Sequence, residues 1–138
     1  MPAALVDTSI LLYAISTAPE EAEKKAVARE ILAGTDWGVS IQVLQEFYVN
    51  VTRAPAPAMD HMAAVKAVEQ LLLRPVVVND AALLRAALTL KERYGLSYWD
   101  AAVVAAAKLS GAAILYSEDM NDGQDYGGVR VVNPFRQG

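Results

Sequence analysis

The sequence predicts one α/β domain built on a parallel sheet, and three observations carry that prediction. Short apolar runs alternate with longer stretches of helical spacing along the chain, the order that gives a parallel sheet of four to five strands covered by helices on both faces. The chain has 138 residues, of which 54% are hydrophobic and 20% charged. At that size roughly 68–70% of the unfolded surface can be buried, so a single core over residues 1–138 is adequate without a disulfide or a structural metal. No repeat, linker or low-complexity tract interrupts the chain, beyond the alanine richness of its helices.

Residues 3–6 (Ala3, Ala4, Leu5, Val6) read as the first strand, which ends at Asp7; from Thr8 the spacing of Ile10, Leu11, Ala14 and Ile15 is helical. Pro19, Glu20 and Glu21 open a second helix, because proline has no amide to leave unpaired there and the acids meet the positive end of the dipole. Val27, Ile31 and Leu32 mark its buried face, and Gly34 ends it. Trp37 to Ser40 is a second short strand. Leu44, Phe47, Tyr48 and Val51 give a third helix, which stops before Pro55 and Pro57. A helix over about 59–73 leads to the β-branched run Val76, Val77, Val78, after which Asn79 or Asp80 caps a helix that ends at Gly95. Residues 97–110 form a very apolar helix closed by Gly111. Ala113 to Tyr116 is another strand, 117–128 a polar loop, and Val129 to Val132 a last edge strand broken by Asn133 and Pro134.

Composition narrows the chemistry. With no cysteine, and with His61 as the only histidine, the chain has no disulfide framework, Cys/His zinc site, cysteine nucleophile or pair of imidazoles for acid–base work. Carboxylates, hydroxyls and amines must carry whatever chemistry exists. The balance of 12 Lys+Arg against 16 Asp+Glu gives −4, so a nucleic-acid substrate would be engaged by a local patch or through metal ions rather than by a basic bulk field. The opening Met1 to Ser16 lacks a basic n-region and meets Asp7 early, and no later run approaches a membrane span. Neither a signal peptide nor a membrane anchor is expected, and the cytoplasm is the default compartment.

In an open α/β sheet, ligands bind outside the carboxyl ends of the strands, so acids at those ends are the informative ones. Asp7 ends the first strand, where an ordinary helix N-cap also suits aspartate. Glu46 lies in the helix that Ser40 opens, about 9 Å along its axis; Gln42, Asn50 and Arg53 share its polar stripe, and a solvated face is the plain alternative. Asp100 is the only charge between Arg93 and Lys108, in a helix so apolar that it must be largely buried, where a carboxylate needs a partner or a metal. Its alternative is the capping box Ser97-x-x-Asp100. The polar cluster Ser117, Glu118, Asp119, Met120, Asn121, Asp122 follows the fourth strand, and a simple turn would also explain it. The conjunction is harder to explain separately, because Asp7, Glu46, Asp100 and Asp119 all fall at the strand carboxyl edge and one fold would bring them to one cleft. Unpaired, they would repel. Oxygen-only ligands suit Mg²⁺ or Mn²⁺, and ions held in this way lower the pKa of a water, orient it and neutralise a phosphodiester in an in-line displacement. Metal-assisted phosphodiester hydrolysis is the chemistry implied.

Val6-Asp7-Thr8-Ser9, Ser40-Ile41-Gln42-Val43-Leu44-Gln45-Glu46, Asp100-Ala101-Ala102-Val103-Val104-Ala105-Ala106-Ala107 and Ser117-Glu118-Asp119, taken in order and at this spacing, resemble the PIN-domain family and, within it, the VapC-like toxins of toxin–antitoxin pairs. The resemblance covers nearly the whole chain and implies a PIN-like three-layer sandwich. It carries the family's metal-binding carboxylates onto Asp7, Glu46, Asp100 and Asp119, and its strand-end hydroxyl onto Ser117, with Thr8 or Ser9 in support. The family's last motif often reads Ser/Thr-x-Asp-x-Asp-Phe, whereas here Asn121 takes the second acid's place and Asp122 that of the aromatic. Asp122 or Asn121 would then serve a second ion, or one ion is held well and another only with substrate. The resemblance further implies a single-strand-selective endoribonuclease, a homodimer, and a cognate antitoxin whose extended segment fills the cleft.

Two other functions compete. A phosphatase of the haloacid-dehalogenase kind also uses a strand-end aspartate and Mg²⁺, but it needs a second acid two residues on, and Ser9 stands there. A PIN-like module that binds RNA or protein without cutting would be favoured by loss of one of the four acids, and none is missing. Arg53, Lys91 and Arg93, near helix ends, are candidate phosphate contacts. His61 is expected on the surface, and Trp99 is expected to pack in the core rather than to stack on a base. Tyr13, Phe47, Tyr48 and Trp99, on or near the cleft-side helices, predict apolar surface left over in a monomer and hence self-association.

Overall fold

Leu5 and Val6 are fully buried, and the strand that carries them runs through the centre of the sheet. In the computed structural model, which describes residues 1–136, β1 (Ala4–Val6) pairs in parallel with β2 (Trp37–Ser40) on one side and with β4 (Ile114–Tyr116) on the other. β3 (Val76–Val77) extends the sheet beyond β2, and β6 (Val129–Val132) extends it beyond β4, both parallel. β5 (Asp125–Tyr126) closes the far edge antiparallel to β6, giving the order β3-β2-β1-β4-β6-β5.

The sheet therefore has six strands where the sequence predicts four to five, and β6 is not its edge. The missed strand lies within the loop predicted over 117–128. It pairs with β6 through a turn whose two residues, Gly127 and Gly128, both have positive φ, the backbone that tight hairpins demand and that glycine adopts without strain. A strand of only two residues has no periodicity to read. Tyr126 is nonetheless buried, so this hairpin belongs to the core.

Among the described residues six helices flank the sheet: α1 (Thr8–Ala14), α2 (Ala22–Ala33) after a short 3₁₀ turn at Pro19–Glu21, α3 (Ile41–Val51), α4 (His61–Leu71), α5 (Ala81–Tyr94) and α6 (Tyr98–Ser110). Asp7, Ser40, Asp60, Asp80 and Ser97 each cap one of them, the side chain accepting from a backbone N–H in the first turn. Asp80 rather than Asn79 caps α5; Asn79 instead accepts from the Gln42 amide at 3.0 Å. α5 and α6 end before Gly95 and Gly111, as the sequence predicts.

α6 lies across the sheet against β1, β3, β4 and β6, with α5 packed on it. Ala101, Ala102, Ala105, Ala106 and Ala107 are all buried, and such small side chains let a helix covered on several sides come close to its neighbours. α1 packs against both α2 and α3, and α3 against α4, a second group that completes an α/β sandwich. Among the described residues no helix is long and apolar enough to cross a membrane.

Candidate active site

Strand register builds the site. Val6 lies opposite Tyr116, so the next residues, Asp7 and Ser117, leave the sheet side by side. The Asp7 N–H donates to the Tyr116 carbonyl at 2.9 Å. Ser117 Oγ donates to Asp7 Oδ2 at 2.8 Å, while Asp7 Oδ1 accepts from the Thr8 N–H at 2.7 Å. Asp7 thus caps α1, but a cap needs no burial, and Asp7 is only 9% exposed. That burial is the main influence on its carboxyl, raising it from 3.8 to about 6. Hydrogen bonds from Ser117 and Thr8 pull it back, and the charges of Glu46 and Asp119 push it further up.

Ser117 Oγ also accepts from the Asp119 N–H at 3.2 Å, so one buried hydroxyl ties two of the predicted ligands together. Asp119 is exposed, and its carboxyl is raised by partial burial and by the charges of Glu118 and Asp100. Asp100 sits in the first turn of α6, where its amide donates to Ser97 Oγ at 3.1 Å. Half of the capping box is therefore present. Among the described residues no hydrogen bond reaches the Asp100 carboxylate, and the group is half-buried rather than deeply buried as its apolar neighbours suggest; the enclosed face of α6 begins one residue later, at Ala101. Glu46 is exposed on α3, its Oε1 accepting from Gln42 Nε2 at 3.1 Å.

A cleft of about 390 Å³ opens beside these groups; Glu46 and Asp119 line it together with Thr8, Ser9, Tyr13 and Glu118 among others, whereas Asp7 and Asp100 lie outside its lining. It continues past Leu12, Glu21 and Asn50 into a second hollow of about 370 Å³ that reaches Ala58 and Met59. Thr8 Oγ1 is buried beside Asp7 without a hydrogen-bond partner. Ser9 Oγ accepts from the Glu118 N–H at 3.4 Å. Residues 4–121, which span the central strands and all four acids, match the model of the PIN domain. The chain belongs to the PIN-domain family.

Solved structures share its fold at low sequence identity. A toxin–antitoxin complex from Klebsiella pneumoniae superposes with a TM-score of 0.73 at 20% identity, covering 97% of this chain and 99% of that one. VapC20 of Mycobacterium tuberculosis, described as a toxin that cleaves the sarcin–ricin loop, gives a TM-score of 0.67 at 23% identity over 92% and 98% of the two chains. DNA-bound VapBC from Salmonella typhimurium gives 0.65 at 18% over 95% and 97%. No curated protein matches the chain in sequence.

Several expected residues stand elsewhere in this PIN domain. Asp122 Oδ1 accepts from the Asn133 N–H at 2.8 Å, and Oδ2 lies 3.6 Å from Arg136 Nη1; Asn121 donates to Gln124 at 3.1 Å. Both serve to fold the 117–128 segment, and neither lines the cleft. Arg53, Lys91 and Arg93 are exposed and outside the cleft lining, with Lys91 donating to the Leu96 carbonyl at 3.3 Å and Arg93 set over the Tyr94 ring. Trp99 is 65% exposed, contrary to the expectation of core packing, because the first turn of α6 precedes its buried face. Phe47 is buried, contrary to the expected surface role. His61 is exposed, as expected, and bonds Tyr48 OH at 2.9 Å. Nothing local in the sequence marks Lys24, whose ammonium meets Glu118 Oε2 at 2.6 Å across 94 positions. Tyr13 OH donates to Oε1 of the same carboxylate at 2.6 Å. Partial burial alone would raise the Glu118 carboxyl, but these two hydrogen bonds outweigh it and hold the group below its ordinary value.

The donor set fits a hard divalent cation. Among the described residues no group of three or more acids closes into a ready-made cage. Mg²⁺ does not require one, since it keeps several waters and is commonly held by one or two carboxylates together with substrate phosphates. Asp7, with a raised carboxyl that a cation would restore to the ionised form, and the unpartnered Thr8 hydroxyl beside it are the observations that favour such an occupant.

Proposed function

We propose that this PIN domain is a Mg²⁺- or Mn²⁺-dependent endoribonuclease, the toxin of a toxin–antitoxin pair. The observation that carries the reading is the buried Asp7 carboxylate, oriented by Ser117 and Thr8 and facing the charges of Glu46 and Asp119. A structural cap gains nothing from burial beside like charges, and such an arrangement costs stability that function repays. Asp7, Glu46, Asp100 and Asp119 would hold the cation, with Ser117 fixing the first and last of them and Gln42 steadying Glu46. A bound divalent cation would supply charge neutralisation at the scissile phosphate and a more acidic water. The chain's own part is to orient these carboxylates, Asp7 through Ser117 and Thr8 and Glu46 through Gln42.

Because no second histidine exists to share acid–base work with His61, water rather than the RNA's own 2′-hydroxyl attacks. Products should carry 5′-phosphate and 3′-hydroxyl ends, and cleavage of single-stranded RNA should stop in EDTA. Mapping the ends of a labelled RNA checks both; a 2′,3′-cyclic phosphate, or cutting that persists in EDTA, contradicts the reading. Binding of RNA without cutting would indicate the inert module instead, and hydrolysis of a small phosphomonoester alone would indicate the phosphatase.

The partners follow from the same reading. The acidic cleft continues into a second hollow, a shape suited to an extended antitoxin segment, and the solved relatives include toxin–antitoxin complexes. Self-association is supported by an apolar groove of about 590 Å³ between α3 and α4, lined by Ile41, Leu44, Tyr48, Val65, Val68 and Leu72 among others. Val49 in the same groove, and Val78 and Trp99 next to it, are also exposed, and an apolar face of this kind is where a partner docks. A homodimer is expected. Sedimentation at micromolar concentration should show twice the 14.8 kDa chain mass, and a 14.8 kDa species alone would count against it.

A further inference from the structure

Lys24 on α2 and Tyr13 on α1 converge on a carboxylate that the proposed chemistry does not use. Glu118 stands between Ser117, which holds Asp7, and Asp119, and it forms part of the cleft wall. Its Oε1 accepts from Tyr13 OH at 2.6 Å and its Oε2 from Lys24 Nζ at 2.6 Å, while Lys24 also donates to Tyr13 OH at 3.2 Å. Phe135 completes the group, edge-on to Tyr13 with ring centroids 4.8 Å apart and 5.8 Å from the Lys24 ammonium. The backbone of the same turn is tied in the other direction, to Ser9 and Ser117.

Stability does not account for this network. The side chains of Lys24 and Glu118 are 41% and 25% exposed, and pairs of that kind contribute about 0–1 kcal/mol. Position does account for it. With both oxygens engaged, Glu118 is held against α1 and α2, and with it the turn from Ser117 to Asp119 that carries two of the site's groups. We propose that Lys24, together with Tyr13, is a positioning residue that anchors the Glu118 carboxylate to α1 and α2 and thereby fixes the turn from Ser117 to Asp119, so that Asp119 stays beside Asp7. This rests on the metal-dependent reading of the cleft. Lys24 itself acts through Glu118 and not on the substrate.

The test uses the full chain, with Mn²⁺ titrations followed by melting temperature in the absence of RNA and with cleavage kinetics alongside. Lys24→Glu should leave the melting temperature in EDTA nearly unchanged and weaken Mn²⁺ affinity by roughly tenfold or more, the scale of loss when outer contacts that keep a metal ligand in place are removed, here through the turn that carries Asp119. The charge swap Lys24→Glu with Glu118→Lys should recover most of that affinity. If Lys24→Glu does not fold, Lys24→Met provides the loss and Lys24→Met with Glu118→Gln the recovery, because the amide oxygen keeps the Tyr13 hydrogen bond and no unpaired charge is left to pull the turn away. A variant that keeps the parent's Mn²⁺ affinity and only raises KM for RNA would make Lys24 a substrate contact and overturn the inference, as would a folded swap that recovers nothing. A parent that shows no Mn²⁺ shift overturns the metal reading and this inference together; a parent that binds Mn²⁺, with Lys24 variants that bind it equally well, overturns this inference alone.

Discussion

Replacing Asp7 with asparagine is expected to abolish RNA cleavage and, in EDTA above neutral pH, to raise the melting temperature by several degrees. The Asp7 carboxyl is raised to about 6 in the folded protein from 3.8, so between those values the folded state binds the proton more tightly than the unfolded chain does. Stability from this group is therefore complete below about pH 3.8 and is lost as pH rises to about 6, a cost of about 3 kcal/mol in the ionised state. Asparagine carries no charge to desolvate, accepts from the Thr8 amide as a cap nearly as well as aspartate, and can donate to Ser117 Oγ. Other carboxylates titrate in the same range, so the informative quantity is the difference between the two proteins: near zero at pH 4 and widening to a plateau above pH 6.5. An asparagine variant that melts below the parent at pH 8 in EDTA would mean that Asp7 is a cap and nothing more.

Glu46→Gln and Asp119→Asn should show the second large effect. Both side chains are exposed, and neither carboxylate caps a helix, so removing their charge should leave the EDTA melting temperature equal to or slightly above that of the parent. Cleavage should nevertheless fall by at least about 10²–10³-fold, the usual loss when one preorganised electrostatic group is removed from a reacting centre. The decrease should appear in kcat more than in KM, because RNA binds over a wider surface than the reacting phosphate. A decrease confined to KM would assign the two acids to substrate binding alone.

The outline of the fold was legible because its signals are local. Alternating apolar runs and helical spacing, the cap at Asp7, a cap at Asn79 or Asp80, and the stops at Gly95 and Gly111 each depend on a few neighbouring residues. The four acids were singled out for a related reason: in this topology the end of a parallel strand is always the same edge, so position along the chain already implies position in space; the structure ties Asp7 and Asp119 to one Ser117 hydroxyl and places Glu46 and Asp119 in one cleft lining. What escaped depends on distant pairings. β5 is two residues long and is defined by β6. Lys24 and Glu118 meet across 94 positions. Asp122, which looks like a ligand by spacing, is taken up by Asn133 and Arg136. Trp99 shows the limit of reading burial from composition, since its apolar surroundings in sequence lie on a face of α6 that its own side chain does not share.

The central claim is that Asp7, Glu46, Asp100 and Asp119 serve one cation, and melting curves in EDTA and in Mn²⁺ test it most directly. A ligand that binds only the folded state stabilises it by about 2.7 kcal/mol at a hundred times its dissociation constant, a shift of several degrees for a domain of this size. The parent should show that shift at pH 7.5, and Asp7→Asn, Glu46→Gln, Asp100→Asn and Asp119→Asn should each lose most of it while remaining folded. Four variants that each retain the parent's full Mn²⁺ shift would show that these carboxylates do not share a metal, leaving Asp7 as a helix cap, Asp100 as part of a capping box, and Glu46 and Asp119 as solvated surface charges.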